Sequence, residues 1–97
     1  EIMTSGQLTV DIAKQKVTVG NKKIDLTPKE FQLLVVLMQK KGSVFTRDRL
    51  LSLVWEIDAE IYTRTIDTHI KRLREKLGAA GILIETVSGS GYRFRED

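Results

Sequence analysis

Basic side chains are concentrated in one short segment of the chain. Between Arg64 and Lys76 there are five Lys or Arg residues and two acidic residues, whereas the rest of the sequence contains eleven of each. The formal net charge of +3 therefore arises within this segment. Clustered guanidinium and ammonium groups are typical of a surface that binds a polyanion, although a solvated basic helix face shows the same pattern.

Two other patterns could indicate phosphate or metal chemistry. Residues 88–91 are Ser-Gly-Ser-Gly, but a phosphate-cradling loop leads from a strand into a helix, and here a strand follows. We therefore interpret them as a hairpin turn. Asp67 and His69 are two positions apart, so their side chains diverge on a helix, and no third ligand has metal-binding spacing. No general base accompanies a Ser or Thr in a recognisable catalytic triad, so we expect no catalytic site. With neither a phosphate-binding loop nor a metal site predicted, we also expect no cofactor.

The basic segment has the spacing of a helix with two different faces. Its apolar residues recur at intervals of three and four and predict a buried stripe: Ile66, Ile70, Leu73 and Leu77. The opposite face carries Arg64, Thr68, Lys71, Arg72 and Glu75. A helix held by one face, with long donors on the other, suits the major groove of DNA, which is about 12 Å wide.

Four side chains of this helix, predicted over residues 64–77, have the chemistry to contact base edges. Arginine can donate two parallel hydrogen bonds to guanine, aspartate can accept from the amino group of cytosine, and threonine can contact the thymine methyl group. The candidates are Thr65, Asp67, Thr68 and Arg72. Taken alone, a solvated helix with i,i+4 ion pairs, such as Asp67 with Lys71, explains the pattern equally well.

Short β-strands are predicted on both sides of the helical part of the chain. Alternation of polar and apolar residues predicts strands at residues 7–10, 16–19 and 23–26. Residues 82–87 and 92–95 alternate again around the glycine-rich turn. The C-terminal part is therefore predicted to be a hairpin that directly follows the basic helix.

Two further helices are predicted between these strands. Thr27 can cap the first, with Pro28 at its first position and Glu30 reaching back to the cap, and Gly42 follows its end. Thr46 can cap a second, short helix. Its core-facing residues have three-to-four spacing: Leu50, Leu51, Val54 and Trp55.

Size and composition predict a single domain with little room for a catalytic cavity. The 97 residues include no cysteine, which fits a reducing cytoplasm. The longest apolar run, residues 33–38, is too short to span a bilayer, so no membrane association is expected. Residues 1–6 lack the features of a signal peptide and are interpreted as a linker remnant before the domain.

Several spaced motifs resemble the OmpR/PhoB family of response-regulator effector domains. The resemblance extends over residues 7–95, and several motifs agree in order. It implies an α+β winged helix, with an N-terminal antiparallel sheet, a three-helix core and a C-terminal β-hairpin wing at residues 82–95. The motifs are LTPKEF at 26–31, RLL at 49–51, VW at 54–55, RTIDTHIKRLR at 64–74 and GSGYRF at 89–94.

The resemblance also implies roles for individual residues. Thr65, Asp67 and Arg72 would face bases. Contact with, or approach to, DNA phosphates is implied for Trp55, Arg64, His69, Lys71, Arg74 and Tyr92.

In the wing, this sequence departs from the family pattern. Ser88 stands where many members have an arginine that enters the minor groove, which shifts the expected specificity toward the major groove. The remaining wing donors are Thr86, Arg93 and Arg95. Alternation puts Arg93 and Arg95 on one face, and Tyr92 and Phe94 on the other, so at least one of these aromatic side chains is expected in the core.

The partners of the family are implied in the same way. We expect double-stranded DNA, bound by two copies on direct repeats, in transcription regulation by a two-component system in the cytoplasm. The loop at residues 56–62 resembles the segment that contacts RNA polymerase, with Ile57, Asp58 and Glu60 as candidates. The resemblance also implies a receiver domain in the full-length protein. Because the sequence upstream of the first predicted strand is too short to hold one, we expect that domain to precede this chain.

Other interpretations stay open at this point. Trp55 has the spacing of a core residue, and the His69 imidazole could be packed or simply exposed. A winged helix that binds mainly proteins, through the acidic loop or the sheet, would leave the basic face in water. An enzyme is a more distant alternative, which would need a concave pocket with convergent polar groups.

Overall fold

Four short antiparallel strands form a sheet at the N-terminus. The computed structural model describes residues 1–55 and 63–96. Val10 lies opposite Val17, and Val17 lies opposite Ile24, so alternation turns these side chains to one buried face. The strands neighbour one another in chain order and are β1 (Ile2–Ser5), β2 (Leu8–Asp11), β3 (Lys16–Val19) and β4 (Lys22–Ile24).

Strand β1 lies in the segment that the sequence analysis assigned to a linker. Its four residues pair with β2 along their whole length, and Ser5 is buried opposite Leu8. An edge strand of this kind is defined by its backbone hydrogen bonds to one neighbour, and Ile2 at its start is exposed. The apolar pattern of the segment therefore did not indicate a strand.

The first two helices begin after the predicted caps, and the third, predicted over residues 64–77, extends from Thr63 to Leu77. Thr27 Oγ1 accepts a hydrogen bond from the Glu30 amide at 3.2 Å, and Glu30 Oε1 accepts one from the Thr27 amide at 2.9 Å, which is the predicted capping box. The hydroxyl of Thr46 accepts from the Arg49 amide at 3.1 Å. The helices are α1 (Pro28–Gln39), α2 (Arg47–Trp55) and α3 (Thr63–Leu77).

A 3-10 helix (Gly78–Leu83) separates α3 from the C-terminal hairpin, so the first hairpin strand starts later than predicted. The chain stays against α3 because Gly81 packs closely on it. A Cβ atom at Gly81 would lie 2.5 Å from the carbonyl oxygen of Arg74. The alternation of polar and apolar residues does not indicate where two backbone segments approach closely, so the 3-10 helix was not predicted. The hairpin strands are β5 (Ile84–Val87) and β6 (Gly91–Phe94).

One core joins the sheet, the helices and the hairpin. Tyr92 and Phe94 are both buried, which confirms the expectation for the inner face of β6. The Phe45 amide donates to the Tyr92 carbonyl at 2.8 Å and the Tyr92 amide donates back at 3.0 Å, which ties the hairpin to the residues before α2. The predicted stripe of α3 is buried in this core: Ile66, Ile70, Leu73 and Leu77.

Sheet, three helices and C-terminal hairpin together form the predicted α+β winged helix. Among the helices in the described part of the chain, none is long and apolar enough to cross a membrane.

Candidate nucleic-acid interface

Helix α3 presents a basic face to solvent, opposite its buried stripe. The exposed residues of this face include three of the predicted DNA contacts on its first half, Arg64, Thr65 and Thr68, and two on its second half, Lys71 and Arg72. The last turn adds Lys76, which is also exposed. The structure thus brings these side chains to one surface, and for Arg64, Thr68, Lys71 and Arg72 it is the outward face that the helical spacing predicted.

Asp67 has a more constrained position than its neighbours on α3. Its Oδ1 accepts a hydrogen bond from the Tyr92 hydroxyl at 2.6 Å, and its Oδ2 lies 3.1 Å from Nη1 of Arg47. The two donors come from β6 and from the first residue of α2. The carboxylate therefore joins three elements at the surface where α3 is exposed.

The Tyr92 hydroxyl is held as a hydrogen-bond donor. The side chain is buried, and burial, followed by the hydrogen bond to Asp67 and the negative charge of that carboxylate, raises the pKa of Tyr92 to about 12. The guanidinium of Arg74 lies 5.5 Å from the centre of the Tyr92 ring. Contact of Tyr92 with a phosphate stays a prediction, and its only proton is already donated to Asp67.

Arg74 connects α3 to the hairpin. Its Nε donates to the carbonyl oxygen of Ile84 at 2.9 Å, and its Nη2 donates to Oγ1 of Thr86 at 2.8 Å. Since a guanidinium has five N–H groups, three remain for other acceptors. Arg74 and Thr86 thus hold β5 against the helix, whether or not they also contact DNA.

Trp55 and His69 lie together where the end of α2 meets α3. Their ring centroids are 4.6 Å apart and the ring planes are inclined by 41°. Trp55 is half-buried and packs against the core, which agrees with its spacing on α2. Burial, followed by the positive charge of Arg72, lowers the pKa of His69 against a smaller opposing effect of Glu30. The imidazole is therefore packed and half-buried while remaining close to the basic face.

The wing places its two arginines on the face that points away from α3. Arg93 Nε lies 2.9 Å from Oε1 of Glu85, and Arg95 Nε lies 3.1 Å from Oε2 of the same carboxylate. The hydrogen bonds from Arg93 and Arg95 lower the pKa of Glu85. Because Thr86 and its partner Tyr92 occupy the face toward α3, Arg93 and Arg95 are on the opposite face. Ser88 is exposed at the turn.

Arg47 is the residue at this surface that sequence analysis missed. It is exposed, it follows the Thr46 cap, and it reaches Asp67 only because α2 packs across α3. A cleft of about 460 Å³ opens beside it, between the start of α2 and the hairpin turn. The residues lining the cleft include Thr46, Arg47, Asp48, Asp67 and Ser90.

Within residues 1–55 and 63–96 there is no group of three or more His, Cys, Asp or Glu side chains that could hold a metal ion. The proposed polymerase contacts Ile57, Asp58 and Glu60 lie outside the residues that the structure describes.

The chain is similar to known regulators in sequence. The family model described as "Transcriptional regulatory protein, C terminal" matches residues 21–94. Heme response regulator HssR of Staphylococcus epidermidis is 42% identical over 94 residues, which cover 95% of this chain and 42% of that protein. Transcriptional regulatory protein SrrA of Staphylococcus aureus is 40% identical over 98 residues, covering 97% of this chain and 41% of that protein. The chain therefore spans less than half the length of these relatives.

The chain is also similar to solved structures. The RstA DNA-binding domain of Klebsiella pneumoniae, solved in complex with the RstA box, has a TM-score of 0.90 and 30% identity, over 100% of this chain and 99% of that chain. The DNA-binding domain of CpxR from E. coli has a TM-score of 0.87 and 28% identity, with the same coverage. Response regulator DrrB of Thermotoga maritima, an OmpR/PhoB homolog, has a TM-score of 0.87 and 34% identity over 97% of this chain and 44% of that one.

Proposed function

Because this chain belongs to the family of C-terminal transcriptional regulatory domains of the OmpR/PhoB type, we propose that it binds a specific sequence of double-stranded DNA with α3 in the major groove. The family consists of DNA-binding effector domains of response regulators and not of enzymes. The enzyme alternative is thereby excluded, and the open question is how this domain contacts DNA.

The observation that carries the proposal is the two-faced geometry of α3. Its apolar stripe is buried, while Arg72 and Thr68 are exposed on the other side together with Thr65. Arg72 has the fork geometry to bind guanine, and the two threonines can contact thymine methyl groups or accept and donate single hydrogen bonds. Asp67 would accept from a base amino group.

Phosphate contacts would surround these base contacts and set the position of α3. We assign this role to Arg64 and Lys71 on the exposed face, and to the Trp55 indole and His69 at its edge. Arg74 would use the N–H groups that do not bind Ile84 or Thr86. Such contacts supply salt-dependent affinity without selecting a sequence.

The wing would lie on the DNA backbone. Thr86 is on the side of the hairpin that carries Tyr92, whereas Arg93 and Arg95 are paired with Glu85 on the far side. Ser88 is exposed at the turn. Without a long basic side chain at the turn, we expect the hairpin to contribute little to minor-groove selectivity.

The partners of the complete protein belong to the same proposal. HssR, which is named as a response regulator, and SrrA, which is named as a transcriptional regulatory protein, are each more than twice as long as this chain. We propose that a receiver domain accompanies the domain, that two copies bind direct repeats, and that Ile57, Asp58 and Glu60 contact RNA polymerase. Such a regulator would act on DNA in the cytoplasm.

Two substitutions on α3 test the groove assignment. We expect Arg72→Ala to relax base preference at one position at a cost of about 1–3 kcal/mol. Lys71→Ala should weaken binding to all sequences similarly and flatten the dependence of log K on log salt by about one unit. Sites selected from a random duplex pool provide the targets, and titrations at several salt concentrations provide both quantities. Unchanged binding in both variants contradicts the assignment.

A winged helix used for protein interaction is the alternative. It predicts no salt-sensitive binding of the wild-type domain to random duplex DNA at low or moderate salt. The same titration therefore separates the two functions before any variant is made.

A further inference from the structure

The carboxylate of Asp67 is held by one donor at each oxygen. The Tyr92 hydroxyl donates to Oδ1 at 2.6 Å, and Arg47 Nη1 lies 3.1 Å from Oδ2. These donors are 25 and 20 positions away in sequence, on the hairpin and on α2. Rotation about either side-chain bond of Asp67 would break at least one of these hydrogen bonds, so the carboxylate has a single preferred orientation.

The held carboxylate can still bind a further donor. Two carboxylate oxygens offer about four acceptor positions, of which these partners use two. The Asp67 side chain is 45% exposed, and it projects where α3 meets the hairpin and the start of α2. Because its orientation is set on folding, little additional ordering is needed when a ligand arrives.

We propose that Arg47 and Tyr92 are positioning residues that make Asp67 select, at one position of one DNA strand, a base that presents an amino group in the major groove. This inference rests on the proposed function. Cytosine N4 and adenine N6 are the donors of the major groove, whereas guanine O6 and thymine O4 are acceptors. The carboxylate accepts from the first pair and is repelled by the second.

The two positioning residues matter because rejection of the wrong base depends on rigidity. A mobile aspartate can turn away from a keto oxygen at little cost and leave a water between them. A carboxylate fixed by Tyr92 and Arg47 cannot do so without losing a hydrogen bond, so the unfavourable contact remains. Selectivity of this kind arises from the destabilised alternative as much as from the favoured partner.

The experiment begins with duplex sites selected by the wild-type domain from a random pool. The base pair at which Asp67→Asn most alters the preference identifies the position in contact. Affinities are then measured for the four duplexes that differ only at this pair. We expect the wild type to prefer cytosine or adenine on the contacted strand by about tenfold over guanine or thymine at the same position.

Tyr92→Phe removes the hydroxyl and retains the buried ring, and Arg47→Met removes the guanidinium and retains an extended side chain. We expect each to reduce the preference at this pair severalfold and to leave preferences at other pairs unchanged. In an Asp67→Asn background, neither change should alter the preference further. Ser90→Ala, on the same cleft, is the matched control and should preserve it.

A purely structural role for this cluster gives a different result. Both variants would then lower the affinity for all four duplexes by one common factor, with the preference intact, and the inference would be overturned. If Arg47→Met lowers folding stability, Tyr92→Phe still tests the orientation of Asp67 through Oδ1. If the wild-type domain selects no sequence, the proposed function itself is contradicted. If the wild type binds selectively and both variants keep its base preference, only this inference is contradicted.

Discussion

The ammonium group of Lys76 lies 2.7 Å from Oε1 of Glu30 and joins the last turn of α3 to the first turn of α1. The Glu30 side chain is only 4% exposed, and the same oxygen accepts from the Thr27 amide. Burial raises the pKa of Glu30, but the hydrogen bonds from Lys76 and Thr27 and the positive charge of Lys76 together lower it below its ordinary value. The packing of α1 against α3 therefore includes a buried charge whose partner lies 46 positions away.

Replacing Lys76 with methionine should destabilise the fold. Lys76→Met retains most of the hydrocarbon chain but leaves the buried Glu30 carboxylate without its cation, at an expected cost of about 1–3 kcal/mol in the free energy of unfolding. Urea denaturation measures this loss. Lys71→Met, on the exposed face of the same helix, should change stability by no more than about 0.5 kcal/mol. Equal effects of the two substitutions contradict the assignment.

Acid should remove the contribution of Glu30. Because the pKa of Glu30 is lower in the folded protein than its ordinary value of 4.5, its ionised form stabilises the fold at pH values above 4.5. That contribution declines as the pH falls through the folded pKa. The stability difference between wild type and Glu30→Gln should therefore shrink on acidification below about pH 4.5. Denaturation at a series of pH values measures it, and parallel curves for the two proteins would refute the expectation.

Gly91 should tolerate no side chain. Its φ is +142°, and a Cβ atom would lie 2.0 Å from the carbonyl oxygen of Phe45, which accepts from the Tyr92 amide. We expect Gly91→Ala to cost about 3 kcal/mol or more, since backbone must move. Gly89→Ala is the matched control. It shares a positive φ, +77°, with nothing within 4 Å, so only about 1–2 kcal/mol is expected from backbone conformation. Thermal and urea unfolding compare the two variants.

DNA binding should take up a proton at His69. Burial and the charge of Arg72 lower the pKa of His69 in the unbound domain below 6.5. A nearby phosphate would raise this pKa, so affinity should increase as the pH falls through the pKa of the DNA-bound imidazole and should lose this increment at higher pH. Titrations at pH 7.5 and pH 6 at constant ionic strength measure the effect. His69→Gln should abolish it, and an equal pH dependence in wild type and variant would argue against phosphate contact.

The local elements could be predicted because their determinants are close together in sequence. The capping box of Thr27 and Glu30 spans three positions, and the stripe from Ile66 to Leu77 repeats within each turn of α3. Alternation likewise put Tyr92 and Phe94 on the inner face of β6. A side chain's exposure on a helix or strand follows from such periodicity, so the basic face of α3 was visible before the fold was known.

Contacts that depend on how the elements pack against one another could not be predicted from such local patterns. Strand β1 is defined by hydrogen bonds to β2, and the 3-10 helix by the contact of Gly81 with Arg74. Arg47 was not a candidate, because nothing in the pattern of α2 indicates that its first residue reaches α3. The same holds for Lys76, which appeared as one more solvated base of the cluster.

Local sequence and tertiary packing each determined a different property of the charged side chains. The sequence established that α3 is basic outside and apolar inside, since both properties depend on residues one turn apart. Which charged side chains already have a partner within the protein was decided by contacts between residues 20 or more positions apart. These contacts are Asp67 with Arg47 and Tyr92, and Glu30 with Lys76. Distances across such separations are set by the packing of the whole core, which no local pattern encodes.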